Sequence, residues 1–485
     1  MADTIALMRK RVLDMAIRGE LVEQRQEEGA VEELLGKITI MKKKNSIKTN
    51  SQRCDYSIEK IPFQIPKTWK WVQLGEVIDF QNGYAFKSSS YSETGVKLVR
   101  IGDITKGSLN EDTMVNIPFE IAREMNNELF VKPGEFVIAM SGATTGKLGF
   151  NKSDKEYLLN QRVGKIVPLV VNKYYIYYLL STLIEENLNK SLGSAIPNLS
   201  TKQISEIPVP LPPLAEQKGI VAKIEEIFAV IDQINARKEE ALAIIQNMRQ
   251  TALRDAIMGV LVEQDVMDEP ASTLYEKIQT EKKTLVKEKL LPEIEVDEIP
   301  FEIPVSWKWV RLGNIILSIF GGGTPSKAIT SYWNGDIPWA TVKDISDKDT
   351  QLYSTIDFIT EDGFNNCSGQ MVSKGDIIVI TRMGLGRAVI SCIDTAINQD
   401  LKGIKLPKQL NSKYFLNAYK SINIKGTGTT VKGIKQSSLL NACIPLPPFN
   451  EQNRIVEKLD KIMDICDQME AILDGSADMV AERIY

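Results

Sequence analysis

The chain has 485 residues, of which 43% are hydrophobic and 25% charged, and its formal net charge is −4. This length exceeds what one hydrophobic core usually supports, so it predicts two or more domains of an ordinary globular protein. The five cysteines lie far apart without a CxxC pair, and the sequence has no histidine. These counts argue against a disulfide framework or zinc site and exclude Ser-His and Cys-His nucleophile pairs.

No apolar run approaches the roughly 18 residues that a membrane-spanning helix needs. The amino-terminal stretch "MADTIALMRKRVLDMA" is amphipathic and lacks the apolar core and cleavage site of a secretory signal. The sequence therefore predicts a cytoplasmic protein that does not bind membranes.

The first predicted element is a helical segment over residues 1–40, followed by a linker over residues 41–60. Within this segment "LDMAIRGELVEQ" (13–24) is similar to "LRDAIMGVLVEQ" (253–264). Tyr485 falls opposite Gln250, so the missing tail of a second repeat lies at the front of the chain. This order predicts a circular pseudo-twofold, with the first segment completing the second repeat and the two termini meeting.

Two globular segments are predicted, over residues 61–213 and 299–448. Each begins with an entry motif, "IPFQIPKTWKWVQLGEV" (61–77) or "IPFEIPVSWKWVRLGNI" (299–315), in which eleven of seventeen residues are identical. Short β-rich runs such as "VKLVRIGDI" and "DIIVITR" alternate with Gly, Asn and Ser turns, and "YYIYYLLSTLIEENLN" is typical of a helix. The segments are therefore predicted to have a mixed α/β (α+β) fold.

The two copies also share "GDI" (102–104) with "KDI" (343–345), and "NQ" at 160–161 with 398–399. Between these landmarks the copies diverge freely. One shared frame with two different fillings indicates one task performed on two different targets.

Each globular segment leads through an exit motif, "VPLPPLAEQKGIVAKIEEI" (209–227) or "IPLPPFNEQNRIVEKLDKI" (444–462), into a long predicted helix. The helices cover residues 214–260 and 449–485, with Gly259 and Gly475 as boundary signals, and a helical connector covers 261–298. Narrow apolar stripes predict two antiparallel helices in a coiled-coil spacer; the alternative is that each helix lies on its own domain. The predicted helix-pairing residues are Ile220, Ile224, Ile227, Ile231, Ile234, Ile455, Leu459, Ile462 and Met469.

The charge is unevenly distributed along the chain. Lys and Arg outnumber Asp and Glu by 16 to 15 in residues 61–213 and by 16 to 11 in residues 299–448, so the remainder carries about −10. Residues 401–450 contain eight lysines and no carboxylate. Cations without nearby carboxylates favour contacts with phosphates and base edges, although any single lysine is more simply interpreted as part of a solvated face.

Three stretches resemble catalytic motifs, and each lacks the residue its chemistry requires. "GATTGKLG" (142–149) is one residue short of a phosphate loop and has Leu148 where Ser or Thr holds magnesium. "LPPF" (446–449) has Leu446 where an amino-methyltransferase needs Asn, and "FGGGTP" (320–325) lacks the GxGxxG pattern. We therefore expect no catalytic, cofactor-binding or metal site in this chain.

The doubled entry and exit motifs, together with the circularly repeated helices, resemble the specificity subunit (HsdS) of type I restriction-modification systems over nearly the whole chain. The resemblance implies that each globular segment is a target recognition domain reading one half of a bipartite site in double-stranded DNA. It implies that the helices fix the spacing and dock two modification (methyltransferase) subunits, joined by restriction/translocase subunits. S-adenosylmethionine, ATP and magnesium are expected on those partners, and the chain itself is expected not to be an enzyme.

Composition and position along the chain suggest DNA contacts in both globular segments. The predicted DNA-binding residues are Lys87, Arg100, Lys106, Lys147, Arg162, Lys327, Lys343, Arg382, Arg387 and Lys402. Two other interpretations stay open, namely a coiled-coil adaptor whose lobes bind proteins and a metal-dependent nuclease. The adaptor predicts no salt-dependent DNA binding, and the nuclease predicts DNA cleavage by the chain alone.

Overall fold

A computed structural model describes residues 2–25, 29–44, 63–190, 199–285, 290–422 and 433–483. The contacts divide the chain into unit 1 (Met1–Glu239 with Asp474–Tyr485) and unit 2 (Glu240–Leu473). Each unit combines helices and sheets around one copy of the globular segment, which confirms the predicted mixed α and β fold. The predicted meeting of the termini concerns Met1 and Tyr485, which lie outside the described residues.

Unit 1 contains both short and long helices. They are α1 (Ala2–Arg18), α2 (Val31–Lys44), α3 (Leu74–Val77), α4 (Phe119–Arg123), α5 (Lys173–Lys190), α6 (Thr201–Ser205) and the first part of α7 (Leu214–Met258). Helix α2 thus extends past residue 40, and the rest of the predicted linker, from residue 45, lies outside the described residues. Helix α5 matches the helix predicted from its sequence.

The strands of unit 1 form two four-stranded sheets and two small ribbons. They are β1 (Lys70–Gln73), β2 (Ile78–Asn82), β3 (Val96–Val99), β4 (Ile104–Thr105), β5 (Ser108–Leu109), β6 (Val115–Ile117), β7 (Phe130–Val131), β8 (Phe136–Ala139), β9 (Leu148–Phe150), β10 (Tyr157–Leu159), β11 (Val163–Pro168) and β12 (Pro208–Leu211). The sheets have the orders β2-β11-β8-β9 and β6-β3-β10-β7, and the ribbons are β1-β12 and β4-β5.

Unit 2 repeats this arrangement. Its helices are the last part of α7 (from Glu240), α8 (Ala271–Leu285), α9 (Leu312–Ile315), α10 (Glu361–Asn365), α11 (Ser412–Ser421), α12 (Gln436–Leu440) and most of α13 (Phe449–Arg483). Its strands are β13 (Lys308–Arg311), β14 (Ser318–Gly321), β15 (Trp333–Ala340), β16 (Gln351–Leu352), β17 (Asp357–Ile359), β18 (Met371–Val372), β19 (Ile377–Ile380), β20 (Ala388–Ser391), β21 (Thr395–Ile397), β22 (Leu401–Lys405) and β23 (Cys443–Leu446). The sheet orders are β14-β22-β19-β20-β16 and β17-β15-β21-β18 with the ribbon β13-β23. Among the described residues they match unit 1 except that β16 is added and the β4-β5 ribbon has no counterpart.

Strands β8 and β19 are the centres of these folds, and both are apolar along their whole length. Side chains alternate between the two faces of a strand. Phe136 and Ile138 of β8 therefore join the core against the helices, while Val137 and Ala139 join the core between the two sheets. The same split occurs along β19. Burial on both faces is the reason that "FVIA" and "IIVI" carry no polar residue.

The glutamine of each exit motif is a buried polar strut. Gln217 accepts a hydrogen bond from the backbone N–H of Asn172 (2.8 Å) and donates to a proline carbonyl five residues earlier (2.9 Å). Gln452 makes the same two contacts, with the N–H of Asn411 (2.9 Å) and with a proline carbonyl (3.0 Å). Both glutamines are fully buried. The exit motif therefore recurs because it joins the start of each long helix to the globular fold.

Buried tyrosines tie the same region together. Tyr175 donates to the carbonyl of Pro210 (2.7 Å), and Tyr414 donates to that of Pro445 (2.9 Å). Burial, with a neighbouring glutamate, raises the pKa of both phenols far above their usual value. They are therefore neutral hydrogen-bond donors near neutral pH.

Helix α7 ends at Met258, where the predicted boundary residue Gly259 adopts φ +75°. Its counterpart Gly19, after α1, adopts φ +76°. In both places an added Cβ atom would lie about 2.5 Å from a proline Cγ of the entry motif, 2.4 Å at Gly19 and 2.5 Å at Gly259. Glycine is thus required by conformation and by space. Helix α13, by contrast, continues past Gly475 to Arg483, so that boundary prediction was wrong.

The apolar stripe of α7 packs inside unit 1. Ile220 and Ile224 are buried in its main core together with Val12 and Ile17 of α1. Farther along, Ile227 and Ile231 surround Met8, while Ile234 is half-buried. The partner of this stripe in unit 1 is therefore α1.

The stripe of α13 packs inside unit 2 against the last turns of α7. Ile455, Leu459 and Ile462 share a core with Ala252 and Ala256. Arg249 lies before Ala252 on α7 and reaches Asp467, which lies after Ile462 on α13, at 2.6 Å, so the two helices run antiparallel within unit 2. Two long antiparallel helices were predicted, and this part of the fold is confirmed. Met469, however, is exposed.

The sequence predicted that the apolar stripe over residues 220–234 packs against the stripe over residues 455–469. In the structure the two stripes have different packing partners. Each stripe packs on one copy of the segment repeated at residues 13–24 and 253–264. The ion pair of Arg9 with Asp232 in unit 1 recurs as Arg249 with Asp467 in unit 2. The repeated segment supplies small side chains, Ala16 and Ala256, that let the helices approach closely. The N-terminal copy thus acts in unit 1 as the middle copy acts in unit 2.

Candidate nucleic-acid interface

The sheet that contains β8 in unit 1 and β19 in unit 2 carries, at one end, loops that differ in sequence between the units. Backbone hydrogen bonds fix the correspondence there: the N–H of Met140 donates to the carbonyl of Arg162 (2.9 Å), and the N–H of Thr381 donates to that of Asp400 (2.9 Å). Arg162 and Asp400 therefore occupy the same place in the two folds. The shared frame continues up to this end, where the exposed side chains diverge.

The shared landmarks meet at this end of the sheet. The N–H of Asn160 donates to the carbonyl of Val99 (3.1 Å), and the N–H of Asn398 donates to that of Ala340 (3.0 Å). The "GDI" and "KDI" turns follow directly, and their aspartates, Asp103 and Asp344, accept from the backbone N–H three residues earlier. These landmarks therefore hold the loops in place.

In unit 2 the loops enclose a groove with a volume of about 640 Å³, called the unit 2 groove below. Its lining residues are Thr324, Lys327, Trp333, Trp339, Thr341, Val342, Lys343, Asp357, Met383, Asn398, Gln399 and Asp400. Lys327 and Lys343 supply positive charge, while hydroxyl and amide groups supply donors and acceptors. Such a lining suits contacts with phosphates and with base edges.

The walls of the groove are held by internal hydrogen bonds. The indole of Trp339 donates to the carbonyl of Gly323 (3.0 Å) and packs edge-on against Trp333. Thr324 donates to the side-chain carbonyl of Gln399. Gly322 lies so close to the chain that a Cβ atom there would fall 1.8 Å from the carbonyl oxygen of Ile397. The Gly-rich stretch "FGGGTP" is therefore required by close backbone approach.

An ion pair borders the groove. Arg382 contacts Asp400 at 3.4 Å, and their side chains are 53% and 8% exposed. Asp400 is fixed in turn, because its backbone N–H donates to Asn398 Oδ1 at 3.1 Å. The arginine is thus held on one side, and about half of its side chain is exposed to solvent.

The predicted DNA-binding residues of unit 1 gather around one hairpin, with one exception. Lys147 lies in the β8–β9 hairpin, Arg162 follows β10, and both are exposed. The turn holding Lys106 is joined to the same hairpin, since Gly107 N–H donates to the carbonyl of Leu148 (3.0 Å). Lys87 is exposed before a separate turn at Ser88–Ser90.

Arg100 also lies near this hairpin but is used within the fold. Its guanidinium contacts Asp103 at 3.2 Å and donates to the carbonyl of Thr113. In unit 2, Arg387 similarly pairs with Asp347 (2.7 Å), and Lys402 is half-buried on β22. Lys327, Lys343 and Arg382 are exposed at or beside the unit 2 groove. DNA contact by all these residues stays a prediction.

The lysine-rich stretch of residues 401–450 is partly structural. Lys413 pairs with Asp460 of α13 at 2.6 Å. Lys420 donates to the carbonyl of Asp349 (2.6 Å), and burial lowers the pKa of its ammonium group. Lys425 and Lys432 lie outside the described residues. At least two lysines of this stretch therefore have partners elsewhere in the fold, so the stretch is not entirely a surface of free positive charge.

Sequence reasoning did not select Trp333, Trp339, Met383 or Asp400, all of which line the groove. The signal for Asp400 was its position directly after the shared "NQ" landmark. The tryptophans and Met383 gave no signal, because loops far apart in sequence bring them together.

Within the described ranges, no three Asp, Glu or Cys side chains converge as a metal-ion site. No helix in those same ranges combines the length and apolarity required to traverse a bilayer.

Over most of its length the chain is similar to specificity subunits of type I restriction enzymes. The EcoEI specificity subunit of Escherichia coli is 24% identical, with 97% of this chain and 91% of that protein covered. The EcoBI specificity subunit of Escherichia coli is 26% identical, with 84% and 81% covered. A solved structure from work on complex assembly and conformational transition of the type I R-M system shares the fold at a TM-score of 0.59 and 18% identity, covering 87% of this chain and 98% of that chain.

The family profile gives the most direct assignment. The profile described as "Type I restriction modification DNA specificity domain" matches residues 66–243 and again residues 304–474. Each match covers one globular fold and ends within the long helix that follows it, α7 or α13. The chain therefore belongs to the family of type I restriction-modification DNA specificity proteins.

Proposed function

We propose that this chain is the DNA sequence-specificity subunit of a type I restriction-modification enzyme, and that each unit reads one half of a bipartite DNA site. The observation that carries the proposal is one buried frame built twice, with different exposed side chains at the same end. Arg162 in unit 1 stands where unit 2 has Asp400. Readers with different side chains on one frame are suited to two different half-sites.

Helices α7 and α13 set the interval between the two readers and dock two modification subunits, which restriction/translocase subunits then join. Exposed apolar residues on both helices support a docking role: Val230, Ile244, Ile465 and Ile472. The two readers enter successive major grooves on one face of the duplex, so their interval must suit a DNA turn of about 34–36 Å.

Chemistry belongs to the partners in this proposal. Methyl transfer from S-adenosylmethionine, ATP hydrolysis and magnesium-dependent cleavage take place on the modification and restriction subunits, and this chain binds none of these cofactors. The defective phosphate-loop and methyltransferase motifs, with Leu148 and Leu446 at the critical positions, support this division. The complex acts on DNA in the cytoplasm.

A binding selection tests the proposal against its rivals. The full chain is assembled with its modification subunits and incubated with a random-sequence DNA pool, and the bound DNA is sequenced. We expect a bipartite motif with a fixed spacer. Absence of any salt-dependent DNA binding would favour the protein adaptor, and DNA cleavage by the chain alone would favour the nuclease.

A further inference from the structure

The tip of the β19–β20 hairpin in unit 2 has a feature that the fold itself does not require. Met383 adopts φ +58°, a left-handed conformation that residues other than glycine seldom take. Its side chain is 57% exposed, so it gains little packing within the chain. At the same place in the unit 1 hairpin stands Gly142, with φ +81°. The left-handed residue and its exposed side chain therefore lie in the lining of the unit 2 groove.

Arg382, which precedes Met383, is held in place by an ion pair with Asp400. Its guanidinium contacts Asp400 at 3.4 Å, and Asp400 is almost fully buried. The amide groups of Asn398 and Gln399 each lie 3.5 Å from the second carboxylate oxygen of Asp400. The carboxylate is therefore held in one orientation and restrains one side of the guanidinium. More than half of the arginine side chain stays exposed.

The corresponding position in unit 1 is built differently. Ser141 follows Met140 there as Arg382 follows Thr381 in unit 2, and Arg162 stands where unit 2 has Asp400. Unit 1 therefore has its arginine in the loop before β11, whereas unit 2 has its arginine in the hairpin after β19. Unit 1 has no aspartate at the position equivalent to Asp400. Any base preference due to Arg382 is therefore confined to the half-site that unit 2 reads.

We propose that Arg382 reads a guanine in the half-site of unit 2 and that Asp400 is its positioning residue. This inference rests on the proposed function. A planar, half-exposed guanidinium can supply paired donors to the O6 and N7 acceptors of guanine in the major groove, which no other base presents as a pair. Fixing the arginine before binding lowers the entropy cost of that contact and sharpens the choice of base.

The test measures base preference position by position. Complexes of the full chain with its modification subunits are selected on a random DNA pool for the unaltered chain, Arg382→Ala, Arg382→Lys and Asp400→Asn. Lys374→Ala is the matched control, since this exposed lysine of unit 2 lies at the opposite end of β19. Arg162→Ala in unit 1 identifies the other half-site.

The unaltered complex is expected to require guanine at one position of one half-site. Arg382→Ala lowers that preference by about 10- to 100-fold and leaves the other half-site unchanged. Arg382→Lys loses part of the preference, because an ammonium group lacks the planar pair of donors. Asp400→Asn weakens the same position alone, and Lys374→Ala changes nothing.

Two results would overturn the inference. An equal loss of affinity for all sequences in Arg382→Ala would make the residue a phosphate contact, and a unit 2 half-site without guanine would leave it nothing to read. Arg382→Lys keeps the charge and guards against a folding defect, which circular dichroism of each complex would reveal. If the unaltered complex recovers no bipartite motif, the proposed function itself has failed.

Discussion

In unit 1 the hairpin after β8 begins with Ser141 and Gly142, whereas in unit 2 the equivalent hairpin begins with Arg382 and Met383. At the start of the long helix that follows each globular fold, by contrast, both units hold a fully buried glutamine with equivalent backbone partners. The contrast shows where the fold permits change. A buried amide that loses its partner costs free energy in either unit, while an exposed loop residue is free to follow its ligand.

The largest expected effect tests whether the buried frame is equally important in both units. Gln217→Ala and Gln452→Ala each remove the partner of a partly buried backbone N–H and of a buried proline carbonyl. Each should destabilise its own unit by about 2–3 kcal/mol. Hydrogen-deuterium exchange resolved by peptide assigns the loss to one unit. Gln246→Ala, at an exposed position of α7, is the control. A large loss in one unit only would mean that the frames are not equivalent.

The next effect tests the equivalence of the two helix ends. Gly19→Ala and Gly259→Ala force a left-handed residue with a side chain against a proline of the entry motif. We expect each to lower stability by about 2 kcal/mol, measured by thermal unfolding. Gly36→Ala, inside α2 with open space around it, should instead stabilise by about 0.5–1 kcal/mol. If Gly19→Ala leaves stability unchanged while Gly259→Ala lowers it, the N-terminal repeated segment packs less closely against its entry motif than the middle one does.

The third prediction concerns the positive charge of the unit 2 groove, since unit 1 has Gly102 where unit 2 has Lys343. If Lys327 and Lys343 contact phosphates, replacing both by alanine should reduce the slope of log affinity against log salt by about 2. Between about 50 and 200 mM salt the affinity then falls roughly tenfold less. Fluorescence anisotropy with the assembled complex measures the slope. A matched pair of exposed lysines outside the groove, Lys374→Ala with Lys408→Ala, should leave it unchanged.

The smallest effect concerns an ion pair at the start of α13 that unit 1 lacks. Arg454 pairs with Asp268 at 2.7 Å, whereas Gly219 occupies the matching place on α7. The contact with Arg454 lowers the pKa of Asp268. Arg454→Ala should therefore cost about 0.5–1 kcal/mol near neutral pH.

The pH dependence of that cost identifies its source. The folded pKa of Asp268 lies below the unfolded one, so the contribution is present above the unfolded pKa and is lost as pH falls through the folded pKa. The difference in urea unfolding between Arg454→Ala and the unaltered chain should shrink below about pH 4. A constant difference would assign the effect to the packing of the arginine stem.

Much of the fold could be predicted because its signals are local or repeated. The apolar runs of β8 and β19, the helix at α5 and the doubled motifs follow from periodicity and self-similarity. The packing partners of the apolar helical stripes could not be predicted in the same way. Heptad spacing says that a stripe is buried, and it does not say whether the partner is another stripe or the repeated segment containing Ala16.

The candidate site was only partly predictable. Charge and composition selected Lys343 and Arg382, but they also selected Arg100 and Arg387, whose guanidinium groups have partners within the fold. A charged residue in a sequence does not reveal whether a carboxylate lies beside it. That depends on loops separated by tens of residues, as with Arg387 and Asp347.

The sequence alone determined the two-unit plan, the circular order of the repeats and the family resemblance, since identity between distant segments is visible without coordinates. The tertiary structure decided which exposed residues share a groove, that Asp400 anchors Arg382, and that α1 covers the first stripe. The physical reason is that repeated motifs are selected for contacts made alike in both units, whereas a groove is formed by loops that differ and that only folding brings together.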